Sequence, residues 1–227
     1  MREQIKAFNS GFLSGPPKGG YLTRLPRQMA DRWQGRAEPS PGQGMLYWHI
    51  LLGDSPQVRE LASIARERLA SFSGLHFTPK RWLHVTTLAV GLVEEFTEAG
   101  IGNMVGRATG FLTDIPPVRI VLGKILYHPE AIALGVEPAG VLDPVRDAVH
   151  AAVMNGQNKE HVSWVPHVTL AYSTSVQPAA PIIAILGRKL PEHSISVDRV
   201  NLIIQEGAER QWNWRSVAEV PLRSFGV

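Results

Sequence analysis

Hydrophobic residues follow two different periods along this chain, and their alternation predicts a mixture of strands and helices. Short apolar runs, typical of buried strands, occur at residues 45–53, 82–92, 118–126, 131–136, 165–172, 195–205 and 214–222. Apolar residues recur at helical spacing near residues 56–72, 94–113, 141–153 and 179–189. Ser55 and Pro56 form a typical helix start, because serine caps a helix and proline favours its first position. The order of elements predicts an α+β fold in two similar halves rather than a doubly wound sheet.

The first 43 residues lack this periodicity. Proline and glycine pairs interrupt the segment, and its apolar residues show no sustained period. We therefore predict an N-terminal extension over residues 1–43, partly ordered, with a short helix near Arg27–Trp33. The main domain then covers residues 44–227 as two lobes. Trp33 or Tyr21 is expected to dock the extension onto it.

The composition excludes several classes of protein. The chain has 227 residues, of which 44% are hydrophobic. It contains no cysteine, and this absence excludes disulfides, thiolate catalysis and cysteine-bound zinc. No apolar run approaches the ~20 residues that span a membrane, and the start has no run long enough for a signal peptide. We therefore expect a cytoplasmic protein with no membrane partner. The net charge of +3 slightly favours anionic ligands.

Two strand-like segments carry the same tripeptide. His84-Val85-Thr86 and His167-Val168-Thr169 each lie within an apolar run. Because side chains alternate along a strand, the histidine and threonine of each motif share one face, and the valine points to the other face. If the two strands lie side by side, two imidazoles and two hydroxyls converge.

Such a set of groups suits a phosphodiester. One imidazole can take a proton from the attacking oxygen while the other donates a proton to the leaving oxygen. The hydroxyls can hydrogen-bond the non-bridging oxygens, where charge develops. We predict His84 and His167 as catalytic residues and Thr86 and Thr169 as phosphate-binding residues, with no metal and no cofactor.

The tripeptide by itself is a weak signal. His76-Phe77-Thr78 and His161-Val162-Ser163 have the same form, but neither lies within an apolar strand run. The alternative interpretation of the two favoured motifs is a pair of unrelated strand histidines, each bonded to a nearby threonine for stability. Two copies in matched surroundings favour the functional interpretation.

The paired motifs, their spacing and the element order resemble those of the 2H phosphoesterase superfamily. The runs WLHVTTLAVG and WVPHVTLAYS look especially like the actinobacterial branch named 2′-5′ RNA ligase family protein. The resemblance covers about residues 45–225, and residues 1–43 fall outside it. It implies a bilobal α+β fold with pseudo-twofold symmetry, in which two antiparallel sheets flanked by helices enclose a central cleft. It also implies that the histidines and threonines of both motifs line that cleft.

The sequence departs from this family just after the second motif. Some members carry a basic residue there, close to the phosphate, whereas this chain has Leu170-Ala171-Tyr172-Ser173. Tyr172 could hydrogen-bond a phosphate or stack on a base. Lower-ranked candidates for substrate contact are Tyr47, His49, Lys80 and Arg81. Core packing is the favoured role of Trp164, Trp212 and Trp214, and a structural or surface role is favoured for His49.

Three functions are compatible with these motifs. The first is hydrolysis of a 2′,3′-cyclic phosphate on an RNA end or nucleotide, by a monomer. The second is RNA end joining in the same cleft, which we rank lower because ring strain and abundant water favour hydrolysis. The third is a non-catalytic RNA- or nucleotide-binding module, against which the intact motifs argue.

Overall fold

The computed structural model describes residues 25–36, 40, 42–155 and 164–223. In these ranges the helices are α1 (Pro56–Arg68), α2 (Glu98–Leu112), α3 (Asp143–Val153) and α4 (Ala179–Leu186). The strands are β1 (Gln28–Met29), β2 (Gly44–Leu51), β3 (Leu75–Phe77), β4 (His84–Leu92), β5 (Val118–His128), β6 (Ala131–Gly135), β7 (His167–Ser173), β8 (Gln177–Pro178), β9 (Lys189–Val197), β10 (Arg199–Glu206) and β11 (Trp214–Pro221). None of the helices in this part of the chain is long and apolar enough to cross a membrane.

The strands form two antiparallel halves that meet at the centre of the molecule. Their order is β11-β10-β2-β4-β7-β6-β5-β9, with β3 also paired to β7. The halves are joined where β4 and β7 pair at Val85 and Val168. Each half therefore has its motif strand on the inside, as an approximate twofold between β4 and β7 requires. The predicted α+β fold with two antiparallel sheets is confirmed.

Helices cover one side of each half. Helices α2 and α3 pack on the half that contains β4 and β11, whereas α1 and α4 pack on the half that contains β7 and β9. Val85 and Val168 are fully buried in the core on the helix-covered side. Because side chains alternate along a strand, the histidines and threonines of the motifs face the other side.

The start of α1 and its approach to β4 follow from local sequence. The Ser55 hydroxyl accepts a hydrogen bond from the Val58 N–H, and Pro56 occupies the first turn. Gly53, between β2 and α1, lies against the backbone of Arg81, and a Cβ there would collide with the Arg81 carbonyl. The missing side chain therefore allows the end of β2 to lie tightly against the turn that leads into β4.

The helix predicted near Arg27–Trp33 is wrong. Residues Gln28–Met29 instead form strand β1, which pairs with Gln177–Pro178, and a turn follows. The Asp31 carboxylate accepts a hydrogen bond from the Trp33 N–H, a local bond that competes with helix formation. Trp33 does contact the main domain, as expected, whereas Tyr21 lies outside the described residues.

The single strand predicted at residues 195–205 is also wrong, because the segment divides at Asp198. Strand β9 pairs with β5 in one half, and β10 pairs with β2 in the other. The chain thus crosses from one half to the other within one apolar run. Hydrophobic pattern shows only that residues are buried, and both halves bury them equally well, so the pattern contains no signal for this change of neighbour.

Candidate active site

The two motif strands lie side by side, and their register brings four polar side chains onto one face. Val85 of β4 is level with Val168 of β7 in an antiparallel pair. The antiparallel register at this pair places each motif histidine on the side of the threonine of the other strand. The four side chains are those of His84, Thr86, His167 and Thr169.

Both histidines are oriented by the same backbone contact. Nδ1 of His84 lies 2.7 Å from the Trp82 carbonyl oxygen, and Nδ1 of His167 lies 2.8 Å from the Val165 carbonyl oxygen. A carbonyl oxygen only accepts, so Nδ1 carries the proton and donates in both rings. The neutral imidazoles therefore keep an unprotonated Nε2, which is the atom that a general base needs.

The surroundings of these rings favour the neutral form. Burial lowers the pKa of His84 to about 4, and the charge of His167 lowers it further, against the bond to Trp82 and the charge of Glu209. Burial likewise lowers the pKa of His167 to about 4, with contributions from the charges of His128 and Arg32. Both imidazoles are thus neutral near pH 7 when no anion is bound. A bound anion would favour protonation of the imidazole that it contacts.

A third histidine lies directly beside the first motif. His49 on β2 is only 3% exposed, so the surface position considered for it is wrong. Its ring stacks on His84 at 4.1 Å between centroids, and its Nε2 lies 3.2 Å from the Thr86 hydroxyl. Burial, followed by the charge of His84, lowers the pKa of His49 well below its usual value. His49 is therefore a neutral partner of Thr86 within the site.

Aromatic rings enclose the first motif. The edge-on ring of Trp214 lies 4.6 Å from His84 and 4.8 Å from His49, between centroids. Trp82 stacks on Trp214 at 4.9 Å, and the Trp164 indole N–H donates to the Thr86 carbonyl at 3.3 Å. These rings exclude water from one side of the His84 imidazole and so contribute to its desolvation.

The remaining candidates differ in how close they lie to the motifs. The Tyr47 ring is 5.2 Å from His49, and burial raises the pKa of its hydroxyl. Arg81 is exposed on the turn before β4, where its guanidinium lies 4.6 Å from the Trp82 ring. Lys80 on the same turn is also exposed. Trp212 and Trp214 are buried, in agreement with the packing role predicted for them.

Tyr172 reaches the same face as the second motif because β7 is irregular. The pairing of β6 with β7 shifts between Thr169 and Ala171, which leaves Leu170 as an extra residue and reverses the alternation after it. The Tyr172 hydroxyl interacts with the Thr169 side chain and donates to Glu209 at 3.2 Å. Burial and the nearby Glu209 raise the pKa of this hydroxyl, so it stays protonated as a donor.

Sequence reasoning missed the charged residues behind Tyr172. The guanidinium of Arg32 lies 5.1 Å from the Tyr172 ring centroid and forms ion pairs with Glu130 and Glu209. The other tripeptide, at His76, was not expected within a strand run, but His76 and Phe77 lie on the short strand β3, and Nε2 of His76 accepts a hydrogen bond from the Trp212 indole. The tripeptide at residues 161–163 lies outside the described residues. Within the described ranges, no set of three His, Asp or Glu side chains is arranged to hold a metal ion.

The fold with two antiparallel halves, with paired His–Thr motifs on adjacent inner strands, resembles that of the 2H phosphoesterases. The family model of the 2'-5' RNA ligase superfamily matches residues 54–209, and the chain therefore belongs to that superfamily. Enzymes of this superfamily act on phosphodiester bonds. A comparison with curated protein sequences gives no match.

Solved structures with the same fold are distant in sequence. TT0787 of Thermus thermophilus is 18% identical with a TM-score of 0.60, over 80% of this chain and 100% of that one. E. coli LigT complexed with NADP+ is 16% identical with a TM-score of 0.59, over 80% of this chain and 99% of LigT. E. coli LigT complexed with 3'-AMP is 15% identical with a TM-score of 0.57, over 83% of this chain and 100% of LigT. At these identities the likeness establishes the fold.

Proposed function

We propose that this protein is a metal-independent phosphodiesterase that opens 2′,3′-cyclic phosphates of RNA ends or nucleotides. The main support is the matched hydrogen bonding of the two motif histidines, each of which donates Nδ1–H to the carbonyl two residues before it. Both rings are thereby oriented with the proton on Nδ1 and an unprotonated Nε2. The two motif strands are adjacent, because Val85 and Val168, the central residues of the motifs, pair with each other. Acid–base catalysis across a phosphodiester requires two such groups on opposite sides of the phosphorus.

The reaction consumes one water and no other reagent. One of His84 and His167 takes a proton from water through Nε2 as the water oxygen bonds to phosphorus. The bond from phosphorus to one ribose oxygen breaks, and the other histidine, protonated, donates its proton to that oxygen. Thr86 and Thr169 donate hydrogen bonds to the non-bridging oxygens, where negative charge increases. The product is a ribose phosphomonoester with a free neighbouring hydroxyl.

The pKa values of the histidines are compatible with these roles once substrate is bound. Without a bound anion, both imidazoles are neutral near pH 7, with pKa values of about 4. The anionic phosphodiester raises the pKa of the imidazole beside it, so one ring becomes the acid while the other remains the base. A nucleotide ligand also fits the likeness to E. coli LigT, which has been crystallised with 3'-AMP, ATP and phosphate.

The test uses the purified protein with EDTA and either 2′,3′-cyclic AMP or RNA with a cyclic phosphate end. We expect a bell-shaped pH profile and a single phosphomonoester product. His84→Ala and His167→Ala are each expected to lower kcat about 100- to 10,000-fold. His193→Ala, which removes a histidine of β9 that pairs with Glu60, is the matched control and is expected to retain full activity.

Four outcomes contradict parts of the proposal. Unchanged rates in both motif variants would refute the assignment of the histidines. Loss of activity in EDTA would refute the metal-independent mechanism. If RNA carrying a 5′-hydroxyl and RNA carrying a cyclic phosphate are joined faster than the phosphate is opened, ligation is the main reaction. Binding without any turnover would indicate the non-catalytic module.

A further inference from the structure

A segment outside the superfamily match lies against the second half of the cleft. Strand β1 pairs with β8, and Met29 is 1% exposed. The Ala30 N–H donates to the Pro129 carbonyl at 2.7 Å, and the Arg32 N–H donates to the Ser173 carbonyl, at the end of β7, at 2.9 Å. Residues 25–36, which we call the N-terminal clasp, are thus fixed by backbone hydrogen bonds next to the strand of the second motif.

The clasp brings two arginines to two glutamates. Arg32 donates from Nη1 to Glu130 at 3.0 Å, and from Nε and Nη2 to the two carboxylate oxygens of Glu209 at 3.3 Å each. Arg36 donates to both oxygens of Glu130 at 2.7 and 2.6 Å. The Arg32 side chain is only 12% exposed, so its pairing is screened little by water. Arg36 balances Glu130, and Arg32 contacts both carboxylate oxygens of Glu209.

Glu209 is the member of this network that faces the candidate site. It accepts the hydrogen bond of the Tyr172 hydroxyl, and that hydroxyl also interacts with Thr169, a proposed phosphate ligand. The charge of Glu209 acts on His84, and the charge of Arg32 acts on His167. An anion held between the motifs would therefore experience both charges.

We propose that the N-terminal clasp is a wall of the phosphate site, in which Arg32 neutralises Glu209 beside the bound anion and holds Tyr172 against Thr169. Arg32 is a positioning residue in this scheme, because its guanidinium group already donates to the carboxylates of Glu130 and Glu209. Without it, the Glu209 carboxylate would repel a phosphate and Tyr172 would lose the cation over its ring. This inference rests on the proposed function, since it assigns the same cleft to an anionic substrate.

The test compares Arg32→Gln, Glu209→Gln and the double variant Arg32→Gln/Glu209→Gln. Isothermal titration calorimetry gives the affinity for inorganic phosphate and 3′-AMP, and steady-state kinetics with 2′,3′-cyclic AMP gives KM and kcat. We expect Arg32→Gln to weaken both ligands about tenfold and to raise KM more than it lowers kcat. The double variant is expected to recover most of the affinity, because it removes the unbalanced carboxylate. Arg32→Lys, which keeps the charge, is expected to fall between Arg32→Gln and the unchanged protein.

The rescue separates this role from simple attachment of the clasp. Both Arg32→Gln and the double variant lack the same ion pair, so a purely structural role would leave the double variant as weak as the single one, and that result would overturn the proposal. Arg215→Gln is the charge-matched control, since it removes one cation from an exposed pair with Glu206 and is expected to change nothing. An unchanged phosphate affinity in Arg32→Gln would also overturn it. Calorimetry needs no turnover, so the same affinity pattern without hydrolysis would refute the proposed function alone.

Discussion

The two halves of the cleft carry the same motif in different surroundings. In the first half, the His84 imidazole packs among aromatic rings, with His49 stacked on it and Trp214 at its edge. In the second half, His167 lies near a charged network that includes Arg32 of the N-terminal clasp. The motif thus fixes where the reacting groups lie, whereas residues that are not repeated between the halves set the polarity around them.

Burial moves the pKa in the same direction in both halves. It is the largest cause of the fall of the pKa to about 4 for both motif histidines. The neighbouring charges differ, since His167 adds to the shift and Glu209 opposes it at His84, whereas His128 and Arg32 both add to it at His167. A symmetric framework with asymmetric charges can bind an asymmetric substrate in one orientation, which a cleft with two identical halves could not select.

The largest expected effect tests whether the two halves are equivalent in chemistry. We expect His84→Ala and His167→Ala to lower kcat by similar factors, because acid and base are both needed in one transition state. The double variant is expected to lose little more than either single variant, since residues that act as a unit are not additive. Single-turnover kinetics on 2′,3′-cyclic AMP measures the three values. Multiplicative losses would show that the histidines act in separate steps.

A smaller effect is expected from the two threonines. Thr86→Val and Thr169→Val each remove one hydroxyl from the phosphate position, and we expect each to lower kcat about 10- to 100-fold. Thr→Ser at either position keeps the hydroxyl and is the control, with a loss of less than about fivefold. If Thr169→Val left kcat unchanged while Thr86→Val lowered it, only the hydroxyl of the first half would stabilise the transition state.

Acid stability offers a comparison that does not depend on substrate. A histidine with a pKa of about 4 when folded and about 6.5 when unfolded binds its proton only in the unfolded chain between those values. Its contribution to stability is therefore complete above pH 6.5 and is lost as the pH falls towards 4. At pH 5 this acid-induced decrease in the free energy of unfolding is about 2 kcal/mol for each histidine. We expect His84→Gln and His167→Gln each to abolish its own share of the decrease.

Thermal unfolding at pH 7.5 and pH 5 measures this difference. Each variant is expected to show a smaller drop in Tm between the two pH values than the unchanged protein. Ile185→Gln serves as the control, because it changes an exposed side chain that does not titrate in this range, and its Tm drop is expected to match that of the unchanged protein. Equal drops in all four proteins would show that neither motif imidazole is desolvated.

What the sequence reveals about the site depends on the distance over which each contact acts. His84 and Thr86 share one face of the same strand, and Ser55 caps the helix that begins at the next residue. Both features involve residues within three positions of each other, so local periodicity is sufficient to predict them. The α+β class follows equally well from the order of such local patterns. The register of Val85 with Val168, by contrast, depends on how two whole sheets meet.

The ion-pair network of Arg32, Glu130 and Glu209 could not be predicted from the sequence either, because its contacts also join distant parts of the chain. Arg32 lies 98 positions from Glu130 and 177 from Glu209, in a segment without hydrophobic period, and no local pattern links the three residues. Alternation along β2 places His49 on the opposite face from Trp48 and Ile50, but alternation alone does not say which face of β2 is the cleft. Its burial against His84 depends on the pairing of β2 with β4.

The smallest expected effect concerns His49, whose role beside the motif threonine is taken by the Tyr172 hydroxyl in the second half. Its Nε2 lies 3.2 Å from the Thr86 hydroxyl, while no hydrogen-bond partner of its buried Nδ1 is found among the described residues. A buried imidazole with one partner is best accommodated with the proton on Nε2, donating to Thr86, because an unpaired N–H costs more than an unpaired lone pair. The Thr86 O–H can then donate to a bound phosphate.

His49→Phe keeps a flat ring against His84 and removes this donor. We expect kcat to fall about five- to tenfold, the value of one hydrogen bond, with little change in KM. The combination with Thr86→Val is expected to be no worse than Thr86→Val alone, because both changes act through one hydroxyl. Tyr172→Phe is the matched variant in the second half, where a phenol rather than an imidazole contacts the motif threonine. Multiplicative losses for His49→Phe and Thr86→Val would show that His49 acts on His84 by stacking, which the second half does without.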